Sequence, residues 1–249
     1  MTISIITAVF NRAVTIGEAL DSVSGQSFTD IEHLIIDAQS SDGTLDEIAH
    51  RRTSAMRIIS EPDEGIYDAL NKGMRLATGQ IFGIVHSDDR LAHEHVLSWV
   101  AEAFADPAID AVYGDLDYVA HDNPDRIVRH WRAGTFHPDK LRRGWMPPHP
   151  ALFIRREVFE AYGGYDTRYR IAADYDAILR WFGKGAIRAA YIPEVLVKMR
   201  LGGESNRSLE RIWRKSREDL QALRSNGVGA FGALAAKNLG KIEQFFIRS

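Results

Sequence analysis

Short apolar runs alternate with stretches of helical spacing through the first hundred residues. The runs are Ile3–Phe10, Leu34–Asp37, Met56–Ser60 and Ile81–Val85, and continuous apolar stretches of that length suit strands buried on both faces of a parallel sheet. Between them the spacing predicts three helices. The first runs over Val14–Val23 with Ile16, Leu20 and Val23 on one side. The second starts at Ser40-Ser41-Asp42-Gly43, where small polar residues suit a turn and an N-cap, and the third spans Ile66–Ala77 and stops at Gly79. This order predicts a doubly wound α/β sheet, on which ligands sit beyond the carboxyl ends of the strands. Those ends are Phe10-Asn11-Arg12, Asp37 to Asp42, Ser60 to Asp63, and His86-Ser87-Asp88-Asp89.

The second half reads as mixed. A helix near Glu94–Phe104 precedes strand candidates at Ala111–Ala120, Ile127–Trp131, Ala151–Ile154 and Ile187–Ile192. From Ser208 the chain turns helical, with Leu209, Ile212, Trp213, Leu220 and Leu223 on one face and Arg211, Arg214, Lys215 and Glu218 opposite. Asn226-Gly227 breaks that helix. In a following helix, over residues 231–247, Phe231, Leu234, Leu239, Ile242, Phe245 and Phe246 share a side, away from Lys237, Lys241 and Arg248. The expected organisation is a main domain over 1–205 and an amphipathic helical extension over 206–249.

Composition narrows the class. The 249 residues are 45% apolar and 26% charged, which describes an ordinary globular chain. With 31 basic against 34 acidic residues the charge is −3, too balanced for an obligate nucleic-acid binder. No apolar run approaches the roughly 18 residues of a membrane span, and the first segment lacks the basic start of a signal peptide. Zero cysteine excludes disulfides, thiolate zinc and a cysteine nucleophile, so any metal must be oxygen-bound, and it is compatible with a cytoplasmic location. Residues 206–249 hold nine basic and four acidic residues, so a +5 tail follows a −8 body. A basic amphipathic helix can lie on the inner face of an anionic membrane, pack on the body, or pair in a homodimer.

Several polar clusters are open to two readings from residue chemistry alone. Asp88 and Asp89 follow an apolar strand, where paired hard oxygens suit Mg²⁺ or Mn²⁺ and equally suit a helix N-cap. Asp37 can read a nucleotide base edge or cap a turn. The stretch Glu61 to Gly73 can receive a phosphate at its helix N-terminus or simply complement the helix dipole. Asp174 opens an apparent helix and can cap it or act as a general base. His149, in Pro147-Pro148-His149-Pro150, is a candidate contact to acceptor or phosphate, or a solvent-facing loop residue. His93-Glu94-His95 reads as surface, since adjacent helical residues diverge by about 100°. Gly227 to Gly232 satisfies G-x-G-x-x-G but follows a helix, so no dinucleotide site is expected, and the sequon Asn206-Arg207-Ser208 is read as chance.

Taken in order, TAVFNR, IIDAQSSDGT, SEPDEGIYDALNKGMRLATG, VHSDD, YGD and PHPALFIRREVFEAYGGYDTRYRIAADYDAILR resemble the family 2 glycosyltransferases of the GT-A fold. The likeness covers about residues 3–200, and GIYDALNKG with IAADYDAILR looks most like bacterial transferases of polysaccharide and glycolipid assembly. It implies a Rossmann-like, mostly parallel mixed sheet, a nucleoside-diphosphate sugar donor, Mn²⁺ or Mg²⁺, and a saccharide or lipid-linked acceptor. It implies donor contacts at Phe10, Asn11, Arg12, Asp37, Asp68, Asn71, Lys72 and Asp88, metal ligation by Asp89 with Asp88, and Asp174 as base in an inverting displacement. The chain departs from the pattern at His86, where the subgroup often has Asn, and at Ala38, where Gly is common. The competing readings are a nucleotidyltransferase, against which FNRAVTIGEAL lacks a glycine-rich basic loop, and a non-catalytic sugar-nucleotide-binding scaffold.

Overall fold

The computed structural model describes residues 1–185, 187–202, 209–229 and 232–233. The first half is β1 (Ile3–Val9), α1 (Ile16–Ser24), β2 (Ile31–Asp37), α2 (Thr44–His50), β3 (Met56–Ser60), α3 (Ile66–Leu76) and β4 (Ile81–Ile84). The second is β5 (Arg90–Leu91), α4 (Val96–Ala103), β6 (Ala111–Val119), β7 (Ile127–Trp131), α5 (Pro138–Leu141), β8 (Leu152–Arg155), α6 (Arg156–Tyr162), α7 (Ala173–Ile178), β9 (Ala189–Arg200) and α8 (Leu209–Ser225). The nine strands found among the described residues form one sheet in the order β3-β2-β1-β4-β8-β6-β9-β5, with β7 also on β6. Strands β3, β2, β1 and β4 are mutually parallel, whereas β8 runs antiparallel to both β4 and β6.

Period-two alternation assigns the apolar residues of β1 to opposite faces of the sheet. Ile6 and Ala8 pack with Leu70 and Met74 of α3, while Ile3 and Ile5 pack with Ala19 and Val23 of α1 and Val100 of α4. All seven residues of β1 are buried, as the continuous run predicts. Close packing at the centre leaves no room at Gly83, where an added Cβ would stand 2.4 Å from the Phe153 ring and 3.1 Å from Ile5.

Three expectations need correcting. The last strand is twice as long as Ile187–Ile192 suggests, because Pro193 does not end it: opposite Gly114 and Asp115 the register jumps from Ile192 to Val195, and the bulge absorbs the proline. His93 and His95 sit in the turn before α4 rather than on it, exposed, and His93 stacks on Trp99. The inner face of α8 is also turned from the expected one. Trp213 is 66% exposed, while Asp219, Ala222, Leu223 and then Asn226 are buried. Polar contacts to α7 fix this rotation, with Asn226 donating to Asp176 at 2.8 Å. The break at Asn226-Gly227 holds, with Gly227 at φ 67°. The second basic helix expected over residues 231–247 lies, apart from Gly232 and Ala233, outside the described residues.

Gly83→Ala is expected to destabilise the protein by about 1–3 kcal/mol through overpacking against Phe153. Urea denaturation measures this, and an unchanged midpoint would show slack in the core.

Candidate functional site

Four parallel strands stop along one edge of the sheet, and hydrogen bonds lock their ends together. Asp37, fully buried at the end of β2, accepts from Ser60 Oγ of β3 at 2.6 Å and from the Ser40 N–H. Asn11 donates its N–H to Ser40 Oγ and accepts from the Ser41 N–H, both at 2.9 Å. Asp42 accepts from the Ala13 N–H at 3.2 Å. Asn11 and Gln39 both take left-handed backbone, φ 51° and 57°, which for residues other than glycine is uncommon and tends to mark sites. Beside this braced floor the Phe10 side chain stands 56% exposed, an unusual place for a large ring.

The remaining donor candidates divide by their engagements. Asp68 accepts from the Glu64 N–H at 3.2 Å, closing the turn ahead of α3. Lys72 pairs with Glu61 at 2.8 Å and reaches Pro62 O at 3.3 Å. Arg12 donates its N–H to Thr44 Oγ1 and its guanidinium to Asn11 O, and its carbonyl accepts from the Thr15 and Ile16 N–H groups. Asn71 holds both sides of Tyr165, donating to its carbonyl at 2.7 Å and accepting from its N–H at 2.8 Å. In this structure Asn71 positions Tyr165.

After β4 the chain turns through His86-Ser87-Asp88-Asp89. Asp89 is only 3% exposed; its Oδ1 accepts from the Arg200 N–H at 3.1 Å, while its Oδ2 is buried with no partner. Burial first, and the Asp88 charge second, push its carboxyl well above the usual range. Arg200, at the end of β9, continues the brace: its guanidinium donates to Asp88 O, to His121 O and to Glu18 of α1. Among the described residues no three acidic or histidine side chains form a metal cage. Two adjacent carboxylates, one with an orphaned oxygen, still fit a hard divalent ion that takes its other ligands from substrate phosphates and water.

Asp174, in the first turn of α7, comes to the same place. Its charge acts on His86, His149, Tyr165 and Tyr67, and the Asp88 charge also acts on His86. Its Oδ1 accepts from the Tyr175 N–H at 2.7 Å and lies 3.5 Å from Tyr67 Oη, which donates to Ile171 O at 2.7 Å. His149 is buried, not solvent-facing, and its Nε2 meets Tyr165 Oη at 2.8 Å. Burial lowers its pKa to about 4, so at neutral pH it is uncharged. Asp115 of the YGD segment is a structural acid, taken up by the Ala133 N–H, Arg132 and Tyr191 Oη.

These positions fall within a recognised pattern. The model for glycosyl transferase family 2 matches residues 4–163. The chain belongs to that family. The match takes in the ends of β1 to β4 but stops short of Asp174 and Arg200. A PGL/p-HBAD biosynthesis glycosyltransferase of Mycobacterium bovis is 33% identical over 208 residues, covering 82% of this chain and 78% of the relative. The fold is that of the solved mannosyltransferase PcManGT from Pyrobaculum calidifontis, in complex with GDP-Man and Mn²⁺, at TM-score 0.67, 20% identity, 94% of this chain and 68% of that one. Glucosyl-3-phosphoglycerate synthase from Mycobacterium tuberculosis, with Mn²⁺, UDP and glucosyl-3-phosphoglycerate, gives TM-score 0.63 at 18% identity, covering 90% of this chain and 79% of that one. The mixed α/β sheet with flanking helices is thus the GT-A architecture.

Residue patterns missed the braces. Arg200 lies outside every quoted motif, Ser60 and Gln39 lie inside quoted segments without being singled out, and Glu218 reads as the polar face of α8. Its Oε2 instead accepts from the Ile171 and Ala172 N–H groups at 2.8 and 3.0 Å, just ahead of Asp174. Hydrogen exchange checks this clamp. Glu218→Ala is expected to speed exchange of the 171 and 172 amides by about tenfold or more, since bonds to a charged acceptor are worth about 1.5–3 kcal/mol, with Glu218→Gln in between. Equal protection in all three proteins would remove the clamp.

Proposed function

We propose that this family 2 member transfers a sugar from a nucleoside-diphosphate sugar to an acceptor hydroxyl with inversion at the anomeric carbon. The observation that carries the reading is the chain of contacts from the Asp88-Asp89 turn to Asp174: the His86 ring lies 6.0 Å from that of His149, which meets Tyr165, whose ring lies 5.6 Å from that of Tyr67, with Tyr67 Oη 3.5 Å from Asp174. The nucleotide takes the braced edge, with Phe10 against the base and Asp37 and Asn11 beside it. Asp68, Arg12 and Lys72 line the approach. Asp88 and Asp89 would hold Mn²⁺ or Mg²⁺, whose positive charge, when bound, offsets charge on the leaving diphosphate.

The chain's own groups supply the rest. Asp174 takes the proton of the acceptor hydroxyl, whose oxygen forms a bond to the anomeric carbon as the bond to the diphosphate oxygen breaks on the other face. The Tyr175 N–H fixes Oδ1 of that carboxylate, and Ile171 O draws the Tyr67 proton away from it. Neutral His149 and Tyr165 close the wall behind the acid without adding a competing positive charge. A single displacement needs one catalytic carboxylate, unlike the flanking pair of glycoside hydrolysis. The two mycobacterial and archaeal folds cited above, bound to nucleotides and Mn²⁺, support the donor class and the ion. A saccharide or lipid-linked acceptor and a cell-envelope role at the inner membrane face belong to the same proposal. No helix among the described residues is long and apolar enough to cross a membrane.

Asp174→Asn tests the base. Transfer from the donor is expected to fall by about 10²-fold or more, the usual worth of general base catalysis, while donor affinity by calorimetry stays within about twofold. Loss of donor binding to the same degree would take Asp174 out of the role.

A further inference from the structure

Two adjoining cavities run along α8, away from the strand ends, and arginines line both. The first, about 480 Å³, lies between α8 and the 168–170 segment and is lined by Arg168, Arg170, Arg214, Arg217 and Glu218 among others. The second, about 570 Å³, shares Arg217 and adds Arg224. Volumes of this order hold small ligands.

Arg168, Arg170, Arg214 and Arg217 line the first cavity with Glu218, whose carboxylate is spoken for. Glu218 turns its Oε2 onto the Ile171 and Ala172 N–H groups at the cavity floor. Arg168 is held fork to fork by Asp166, with contacts of 2.6 to 3.0 Å, which sets its plane. The Arg217 guanidinium lies over the Trp213 ring, 5.8 Å from its centre. Folding therefore gathers like charges whose repulsion a multiply charged anion would relieve, and planar guanidinium forks match phosphate oxygens better than any other side chain.

We propose that this cavity binds a phosphoryl group carried by the acceptor substrate. The donor diphosphate belongs to the strand ends, so a phosphate held here comes from the second substrate. Its floor residue, Glu218, holds the backbone two residues ahead of Asp174, so the bound group lies beside the segment that presents the base. The acceptor assignment rests on the glycosyl-transfer reading; the anion site does not. The phosphate can be soluble, as on a sugar phosphate, or borne on a lipid.

The test compares the full chain with Arg170→Ala/Arg217→Ala, two exposed positions, after matching their melting temperatures. Calorimetry with inorganic pyrophosphate, with UDP and Mg²⁺ saturating the crevice, is expected to show binding that weakens about tenfold or more in the double variant. UDP titrated alone reports the crevice, so failure of the donor reading shows as absent UDP binding whatever the arginines do. Sedimentation with phosphatidylcholine vesicles, with and without phosphatidic acid, supplies the second arm. Variant-sensitive pyrophosphate binding alone assigns a soluble phosphate, and variant-sensitive capture by phosphatidic acid assigns a lipid-borne one. Equal affinity of the two proteins in both arms overturns the site.

Discussion

A carboxyl group sealed from water with one oxygen unpartnered cannot stay ionised without a positive neighbour, and Asp89 is such a group. The sheet holds it there. Its backbone turn follows β4, its Oδ1 is taken by the Arg200 N–H of β9, and the Arg200 side chain reaches on to Glu18 of α1. Three elements far apart in sequence thus spend buried polar contacts on fixing one acid. Removing water from a carboxylate raises its cost of ionisation and, by the same physics, raises its attraction for a cation. The buried acid is therefore the anchor of the proposed chemistry: the nucleotide floor, the base and the acceptor side are arranged around it.

The acidic anchor also explains why α8 belongs with the site. Asp174 lies in the first turn of α7, whose N-cap residue, Ala172, offers no side-chain cap to the helix start. Glu218 ties the two N–H groups ahead of it, and Asn226 ties Asp176 within it. A helix that reads as an appendage by charge is, in its described part, a splint for α7. The +5 of the C-terminal segment accordingly divides, with arginines of α8 forming a walled cavity and the further basic residues beyond.

Legibility followed the range of the interactions. Continuous apolar runs announced β1 to β4, because burial on both faces leaves a local imprint, and the polar strand ends came with them. The mixed half was less legible. Arg90–Leu91 is too short to show a period, and Pro193 disguised a twelve-residue strand whose bulge depends on its partner β6. On α8, hydropathy turned Trp213 inward, whereas the observed rotation obeys polar contacts with α7 that no local pattern encodes. In the site, Asp37, Asp88, Asp89 and Asp174 were readable by type and position. The burial of His149, the commitment of Asn71 to Tyr165, and the braces by Arg200 and Glu218 were not, since each depends on partners at least 16 residues away.

The central claim is that one crevice, with one base, displaces the nucleoside diphosphate in a single step. Proton NMR of the transferred sugar tests it most directly, through the anomeric coupling of the first-formed product compared with that of the donor. The account predicts the opposite anomeric configuration. Retention of the donor's configuration would contradict it.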